Sequence, residues 1–147
     1  MLVNAPASRD VDDALGGAIR DPSVRVRGAA VLALAMRRAT SWRGAIGDRL
    51  DDTGEDPAVR AAAARALGAL CDEDADTIER LTAYARALAS PATDEEAQEI
   101  GFGALVGLAA LQPRDLRDRV AALLAPAAPP YARTAAQQAL AARPMCR

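Results

Sequence analysis

Histidine and lysine are absent from this 147-residue chain, and aromatic residues make up only 3% of it. Without histidine, the commonest general base and metal-ligating side chain is missing, and Ser-His and Cys-His nucleophile pairs are excluded. A dinucleotide-binding loop is also excluded, because Gly101-Phe102-Gly103 lies inside a predicted helix rather than after a strand. We therefore expect no catalytic residues, no cofactor and no metal site, which favours a non-enzymatic role.

Strong net charge and long apolar runs are missing as well. The formal net charge is −2 and the pI is about 5.2, which disfavours nucleic acid and anionic membranes as partners. No apolar run approaches the roughly 18 residues of a membrane span, and residues 1–7 lack the apolar core of a signal peptide. Cys71 and Cys146 are the only cysteines, and we expect two reduced thiols. These features predict a cytoplasmic protein.

The stretch from Asp56 to Leu70, with the sequence DPAVRAAAARALGAL, sets the pattern for the rest of the chain. Asp56 can accept hydrogen bonds from the free N–H groups that begin a helix, and Pro57 suits the first helical position. Alanine, leucine and arginine are strong helix formers. Val59 and Leu67 belong to an apolar stripe at helical spacing. With so few aromatic residues, we expect a core of alanine and leucine.

Related segments recur along the chain. The copies at residues 21–25, 56–60, 94–98 and, more weakly, 129–133 are 35, 38 and 35 residues apart. Self-similarity at this period is typical of a helical solenoid. The segments DPSVR and DPAVRAAAARALGAL resemble the second helix of a HEAT repeat, in the short bacterial form found in phycobilin-lyase-type HEAT domains. The resemblance implies an all-α fold, a right-handed α-α superhelix of about four helical hairpins.

Helix signals divide the chain into eight helices in antiparallel pairs. We expect one HEAT-like domain at residues 8–142, between a tail at 1–7 and a tail at 143–147. The first helix should begin at Ser8, the fifth at Asp76 and the sixth at Thr93 or Asp94. The seventh should be one helix that starts at Pro113. Its predicted inward residues are Leu116, Val120, Leu123 and Leu124.

Arg25, Arg60 and Arg133 occupy the same position in three of the copies. The resemblance to HEAT proteins implies that such an arginine reaches the cap aspartate of a neighbouring repeat. This ladder should be incomplete near the C-terminus, where Gln98 replaces the arginine of the third copy. We interpret the acidic residues at 51–56 as a solvated turn that supplies a helix cap.

The second helix of each pair should leave one face free, and we expect these faces to form a concave binding surface. Alignment of the copies assigns to it Val26, Ala30, Leu34, Ala61, Arg65, Ala69, Glu99, Gly103, Gly107, Thr134 and Gln138. Glycine inside a helix costs about 0.5–1 kcal/mol relative to alanine, so Gly103 and Gly107 indicate close approach of a partner's backbone. Drift in an Ala/Gly-rich sequence is the alternative. If the two glycines instead allow a partner to approach closely, Gly103→Arg should preserve folding and weaken binding.

The leading functional hypothesis is a non-enzymatic HEAT-like scaffold or adaptor that binds a protein segment, or another copy of itself, through the concave face. The resemblance implies two alternatives. One is a small-ligand-binding or lyase-like enzyme similar to HEAT-type bilin lyases, with Arg65, Glu99, Tyr131 and Gln138 as polar groups in an apolar groove. The other is a DNA-lesion-binding protein similar to the alkylpurine DNA glycosylases built from HEAT-like repeats. Those proteins carry a basic, aromatic-rich cleft that this composition does not supply.

Overall fold

Helices make up most of the described chain. The computed structural model describes residues 5–146, with side chains from residue 9 onward. Its α-helices are α1 (Ala5–Ala18), α2 (Val24–Met36), α3 (Arg43–Asp51), α4 (Pro57–Ala69), α5 (Ala75–Arg86), α6 (Glu95–Leu111), α7 (Leu116–Arg119), α8 (Ala121–Leu124) and α9 (Pro130–Ala141). Short 3₁₀ turns lie at Thr40–Trp42 and Ala87–Ala89. No strand occurs between residues 5 and 146, so the predicted all-α class is confirmed.

The helices alternate between two layers. One layer contains α2, α4, α6 and α9, and the other contains α1, α3, α5 and the single-turn helices α7 and α8. Each helix of the first layer packs on the preceding helix in sequence and on its neighbours in its own layer. The result is four helical hairpins, as predicted. The handedness of the superhelix stays a prediction.

Helix α4 is enclosed by α2, α3 and α6. Asp56 caps it by accepting a hydrogen bond from the N–H of Ala58 at 2.8 Å, and Pro57 takes the first turn, as predicted. Eight of its 13 residues are buried, because small alanine side chains let three neighbours approach at once. Leu67 is 1% exposed and belongs to the core.

The other helix caps confirm some predictions and correct one. Asp94 caps α6, which decides between the two predicted candidates. Ser23 caps α2. The cap of α5 is Asp74 rather than the predicted Asp76, and hydrogen bonds from the N–H and hydroxyl of Thr77 hold the pKa of this carboxyl below its usual value. The correct cap lies two residues earlier because Asp74 is the residue whose extended backbone lets its side chain reach those donors.

Two of the three glycines of α6, Gly103 and Gly107, lie against α4 rather than on a free surface. A Cβ atom on Gly103 would lie 2.6 Å from the carbonyl oxygen of Ala61, and one on Gly107 would lie 2.6 Å from that of Ala64. A Cβ atom on Gly68 of α4 would approach the backbone of Gly107 even more closely. The predicted placement of Gly103 and Gly107 on the binding face is therefore wrong. Because α4, α5 and α9 all contact α6, this helix buries a wider arc than the single stripe that the sequence indicated.

The predicted seventh helix is broken into α7 and α8. The break lies at Val120, whose φ of −102° and ψ of 10° are not helical. Leu116, Val120 and Leu123 are nevertheless buried as predicted, and Leu124 is partly buried. A single helical turn has little stability of its own, so the packing of these apolar side chains decides the backbone path.

The C-terminal segment is attached to the rest of the molecule. Cys146 forms a disulfide with Cys71, across 75 residues of sequence and with Cα atoms 5.2 Å apart. The N–H of Met145 donates to the carbonyl oxygen of Ala110, in the last turn of α6, at 3.2 Å. The prediction of two reduced thiols is therefore wrong. Because α4, α6 and α9 share one layer, the segment after α9 meets the end of α4, a proximity that no local sequence pattern indicates.

At the N-terminal end, helix α1 is longer than predicted. Helix α1 begins at Ala5, three residues before the expected start at Ser8. Residues 1–4 of the predicted N-terminal tail lie outside the described residues. In the part of the chain that the structure describes, no helix is both long enough and apolar enough to cross a membrane.

The predicted arginine ladder takes a different form. The Nε of Arg60 donates to the carbonyl oxygen of Leu50 at 2.8 Å, and the Nη1 of Arg133 donates to that of Pro126 at 3.1 Å. Arg60 therefore binds a carbonyl in the last turn of α3, and Arg133 binds one in the turn that follows α8; both bind backbone oxygens, where the prediction gave the cap aspartate of a neighbouring repeat. The freed carbonyls at a helix C-terminus attract a cation, which explains the choice of Arg60.

Candidate functional site

The predicted binding residues are divided between the surface and the interior. Six are at least partly exposed, namely Val26, Arg65, Ala69, Glu99, Thr134 and Gln138. The other five are buried, namely Ala30, Leu34, Ala61, Gly103 and Gly107. For these five the predicted surface position is wrong, because α1 and α4 pack on α2, while α2, α3 and α6 pack on α4, and α4, α5 and α9 pack on α6. The free face is narrower than expected and is rotated relative to the predicted one.

On α6 the free face consists of Glu95, Glu99, Phe102 and Val106. These residues are spaced by three or four positions and therefore lie on one side of the helix. Val106 is 53% exposed and extends the apolar lining of the neighbouring groove to the surface, and such a contiguous apolar patch is more informative than a single exposed side chain. Phe102 is partly buried. The stripe thus changes from acidic at the N-terminus of α6 to apolar towards its C-terminus.

A groove lies between this stripe and α9, and we call it the α6–α9 groove. Its volume is about 340 Å³. Its lining residues are Phe102, Leu105, Val106, Ala109, Ala135, Gln138, Ala139 and Ala142. Seven of these eight side chains are apolar, so the groove can bury apolar surface but offers only one side-chain amide for hydrogen bonding.

An aromatic pair bounds the groove on the side of the helix N-termini. The rings of Phe102 and Tyr131 meet edge to face, with centroids 5.9 Å apart and an interplanar angle of 61°. This geometry is favourable for two aromatic rings. It fixes one groove-lining ring against the first turn of α9.

The two ends of the groove differ in charge, because the α6 stripe is acidic at one end. Asp94, Glu95, Glu96 and Glu99 are all exposed at the start of α6. Asp94 is used as the helix cap, and carboxylates in the first turn are stabilised by the positive end of the helix dipole. Beyond these local roles, the exposed carboxylates create a negative potential beside one end of an apolar groove.

Sequence reasoning missed the apolar residues that make this surface, above all Phe102 and Val106. The available signal was their spacing of four residues, in a helix whose buried stripe was already complete without them. The free face was instead assigned to the neighbouring positions 103 and 107. Of the predicted residues, Gln138 lines the groove, while Glu99 and Thr134 lie on the exposed sides of its two helices.

A polar cavity of about 520 Å³ between the first two hairpins has a structural explanation. Glu55 is 7% exposed and receives hydrogen bonds from Arg27 (Nε to Oε2 at 2.9 Å, Nη2 to Oε1 at 2.7 Å), from Arg49 and from the N–H of Asp56. The hydrogen bonds from Arg27 hold the pKa of Glu55 below its usual value, against the effect of burial. The interpretation of this turn as solvated is therefore wrong for Glu55, which links two repeats.

The polar residues predicted for a small-ligand site do not all line the α6–α9 groove. Of the four polar residues predicted for a small-ligand site, only Gln138 lines the groove, and Arg65 lies on α4. Among residues 9–146, no three histidine, cysteine, aspartate or glutamate side chains are grouped so as to hold a metal ion.

Comparison with known proteins supports the repeat architecture. A family model described as HEAT repeats matches residues 11–91, more than half of the chain. The chain belongs to the HEAT-repeat family. No curated protein and no solved structure gives a match. HEAT repeats generally mediate protein–protein interaction or scaffolding. The matched segment covers most of α1 and continues through α5, so the α6–α9 groove lies in the more divergent part of this HEAT-repeat chain.

Proposed function

We propose that this protein is a non-enzymatic HEAT-repeat scaffold that binds an amphipathic helix of a partner protein in the α6–α9 groove. The observation that carries the proposal is the exposed apolar stripe of α6, with Val106 53% exposed above a groove whose lining is almost entirely apolar. Burial of apolar surface would drive binding at about 25 cal/mol per Å². The proposed binding surface is therefore only the C-terminal part of the concave face that the sequence predicts.

The shape and chemistry of the groove favour a helical occupant over an extended one. An extended peptide would bring unpaired N–H and C=O groups into a groove whose only polar side chain is Gln138. A helix satisfies its own backbone groups and presents side chains alone. The apolar stripe from Phe102 to Ala109 is about 10 Å long, or two helical turns. It therefore fits apolar residues at positions i, i+3, i+4 and i+7 of the bound helix.

The charge beside the groove favours basic residues at one end of that helix. Glu95 and Glu99 continue the α6 stripe beyond Phe102 and are exposed. Lysine or arginine on the partner would meet them at the rim, where charge complementarity raises the association rate and fixes orientation more than it adds affinity. We therefore expect the interaction to weaken with increasing ionic strength.

The direct test uses a synthetic amphipathic helix with leucines at i, i+3, i+4 and i+7. It is made in two versions, with lysines at the N-terminal or the C-terminal end, and binding is followed by fluorescence anisotropy. We expect one version to bind the wild type. Val106→Asp should weaken that binding about tenfold or more, equivalent to about 1.4 kcal/mol, because it places a charge where the leucines insert.

The matched control is Met36→Asp, on α2. Met36 is 83% exposed and is not part of the groove lining, so this variant makes a similar apolar-to-acidic change without touching the site. It should bind like the wild type, and both variants should melt near the wild-type temperature. Equal binding by the wild type and Val106→Asp, or binding of neither peptide, would overturn the proposal. A wild-type dimer that Val106→Asp dissociates in light scattering would identify a second copy of the chain as the occupant instead.

We also propose the cytoplasm as the site of action, on the basis of the composition and net charge of the chain. In that compartment, thiol reductants keep most cysteines reduced, and disulfides that form there are usually transient or redox-sensing. The Cys71–Cys146 bond is then open to chemical change.

A further inference from the structure

We propose that the Cys71–Cys146 disulfide is a redox-sensitive clasp that holds α9 against α6 and so controls whether the α6–α9 groove is formed. The consequence for partner binding rests on the function proposed above. The effect of the disulfide on α9 does not depend on that function, because it follows from how the last hairpin is attached to the rest of the molecule.

The clasp lies next to the groove. Ala142, which follows α9, and Ala109 of α6 both line the groove. From Ala142 the chain continues to Met145, whose N–H donates to the carbonyl oxygen of Ala110, the residue beside Ala109. The next residue, Cys146, is bonded to Cys71 and packs against the core. The segment after α9 therefore crosses the C-terminal end of α6 and closes that end of the groove.

Without the disulfide, α9 is weakly attached. The fully buried side chains of α9 are three alanines, Ala132, Ala136 and Ala139. Each buries little apolar area compared with a leucine. To these are added the edge-to-face contact of Tyr131 with Phe102, the partly buried Leu140, and a hydrogen bond that the Nε2 of Gln112 donates to the carbonyl oxygen of Ala139 at 2.7 Å.

The helices behind α9 give it little further support. Both α7 and α8 are single turns of four residues, and α8 packs on α9. Short helices of this kind depend on their neighbours for stability. The covalent link between Cys71 and Cys146 thus supplies a large part of what holds α9 on α6.

The bond is open to thiol–disulfide exchange. Cys71 and Cys146 are both partly exposed, so the bond lies near the surface, where a reductant can approach it. The thiolate of a dithiol attacks one sulfur and forms a mixed disulfide, while the other cysteine leaves as a thiolate and takes up a proton. The second thiol of the reductant then attacks the mixed disulfide and releases the remaining cysteine. The protein gains two electrons and two protons, and the dithiol becomes a disulfide.

The experiment compares the oxidised full-length chain with the chain reduced by dithiothreitol. Hydrogen–deuterium exchange followed by mass spectrometry measures protection in residues 130–142 and, as an internal control, in residues 57–69. We expect reduction to speed exchange in 130–142 and to leave 57–69 unchanged. Reoxidation should restore protection. The single variants Cys71→Ser and Cys146→Ser should both reproduce the reduced state, and dithiothreitol should not change them further.

Binding of the leucine-lysine peptide is measured on the same samples. We expect reduction to weaken it by roughly 5–150-fold, the range typical of allosteric coupling. Identical exchange of residues 130–142 in the oxidised and reduced chains would overturn the clasp, whatever the peptide does. Faster exchange without any peptide binding in either state would overturn the proposed function and leave the clasp intact. Faster exchange with equal binding in both states would show that the clasp does not control the groove.

Discussion

Glu55 is a carboxylate with almost no exposed surface, held between the guanidinium groups of Arg27 and Arg49. Its pKa lies below the ordinary value of about 4.5 because Arg27 donates two hydrogen bonds to it. A carboxyl group whose pKa is lowered by folding stabilises the fold at pH values above its unfolded pKa. That stabilisation is lost as the pH falls through the folded pKa.

We expect Glu55→Gln to lower the free energy of unfolding by about 1–3 kcal/mol at about pH 7, because it removes the charge that the two arginines pair with. The same variant should lose less stability than the wild type as the pH is lowered from about 6 to about 3, since it no longer has a carboxyl group to protonate at this position. Urea melts at a series of pH values measure both effects.

The control for this variant is Glu99→Gln, which makes the same chemical change at an exposed position of α6 beyond its first turn, where the helix dipole has little effect. Its stability should follow the wild-type pH dependence. Parallel curves for Glu55→Gln and the wild type across the acidic range would show that Glu55 does not contribute to acid sensitivity.

At the scale of helices, the contact between α4 and α6 depends on the absence of side chains. A Cβ on Gly103 would lie 2.6 Å from the carbonyl oxygen of Ala61, closer than Cβ atoms approach other heavy atoms, so an alanine there must push α6 away from α4. Gly103→Ala gains about 1 kcal/mol of helix propensity, whereas overpacking costs typically about 1–3 kcal/mol. We therefore expect a net loss of stability in denaturant melts, and a larger loss for Gly103→Arg, contrary to the expectation from sequence.

Gly17→Ala is the matched control for this helix contact. It makes the same change in α1, where an added Cβ would meet nothing within 4 Å. This variant should be as stable as the wild type or slightly more stable. If Gly103→Ala also proved neutral or stabilising, the close backbone contact between α4 and α6 would be refuted.

The contrast between α4 and α6 shows what the sequence could predict. The cap, first turn and core face of α4 were predicted because Asp56, Pro57 and the alanine run are local signals. The free face of α6 was not, because it depends on which three helices surround it. Two glycines spaced by four residues suit an exposed partner site and a buried helix contact equally well. Only the position of α4 decides between the two.

The whole molecule is asymmetric along its length. The first hairpins match the HEAT pattern, whereas α6 to α9 depart from it and contain the groove and the end of the disulfide-linked segment. Sequence reasoning recognised the weakening of the repeat but not the covalent link. A cross-link between residues 75 positions apart follows from the layer order of the helices and leaves no periodic signal. The part of the chain that was hardest to predict is therefore the part with the proposed function.

This asymmetry predicts an uneven distribution of stability in the oxidised protein. Repeat stacks are stabilised mainly by contacts between neighbours, so a helix enclosed on three sides should open least often. Helix α4 is enclosed in this way, while α7 and α8 are single turns with several exposed residues. We expect native-state hydrogen exchange to be slowest in α4 and fastest in α7 and α8, with α9 between them. Exchange is measured at two pH values. Rates that rise with pH in proportion to the intrinsic exchange rate show that they report the opening equilibrium of each helix. Uniform protection from α1 to α9 would show that the described chain opens as one cooperative unit, in which the last hairpin is as firmly held as the first.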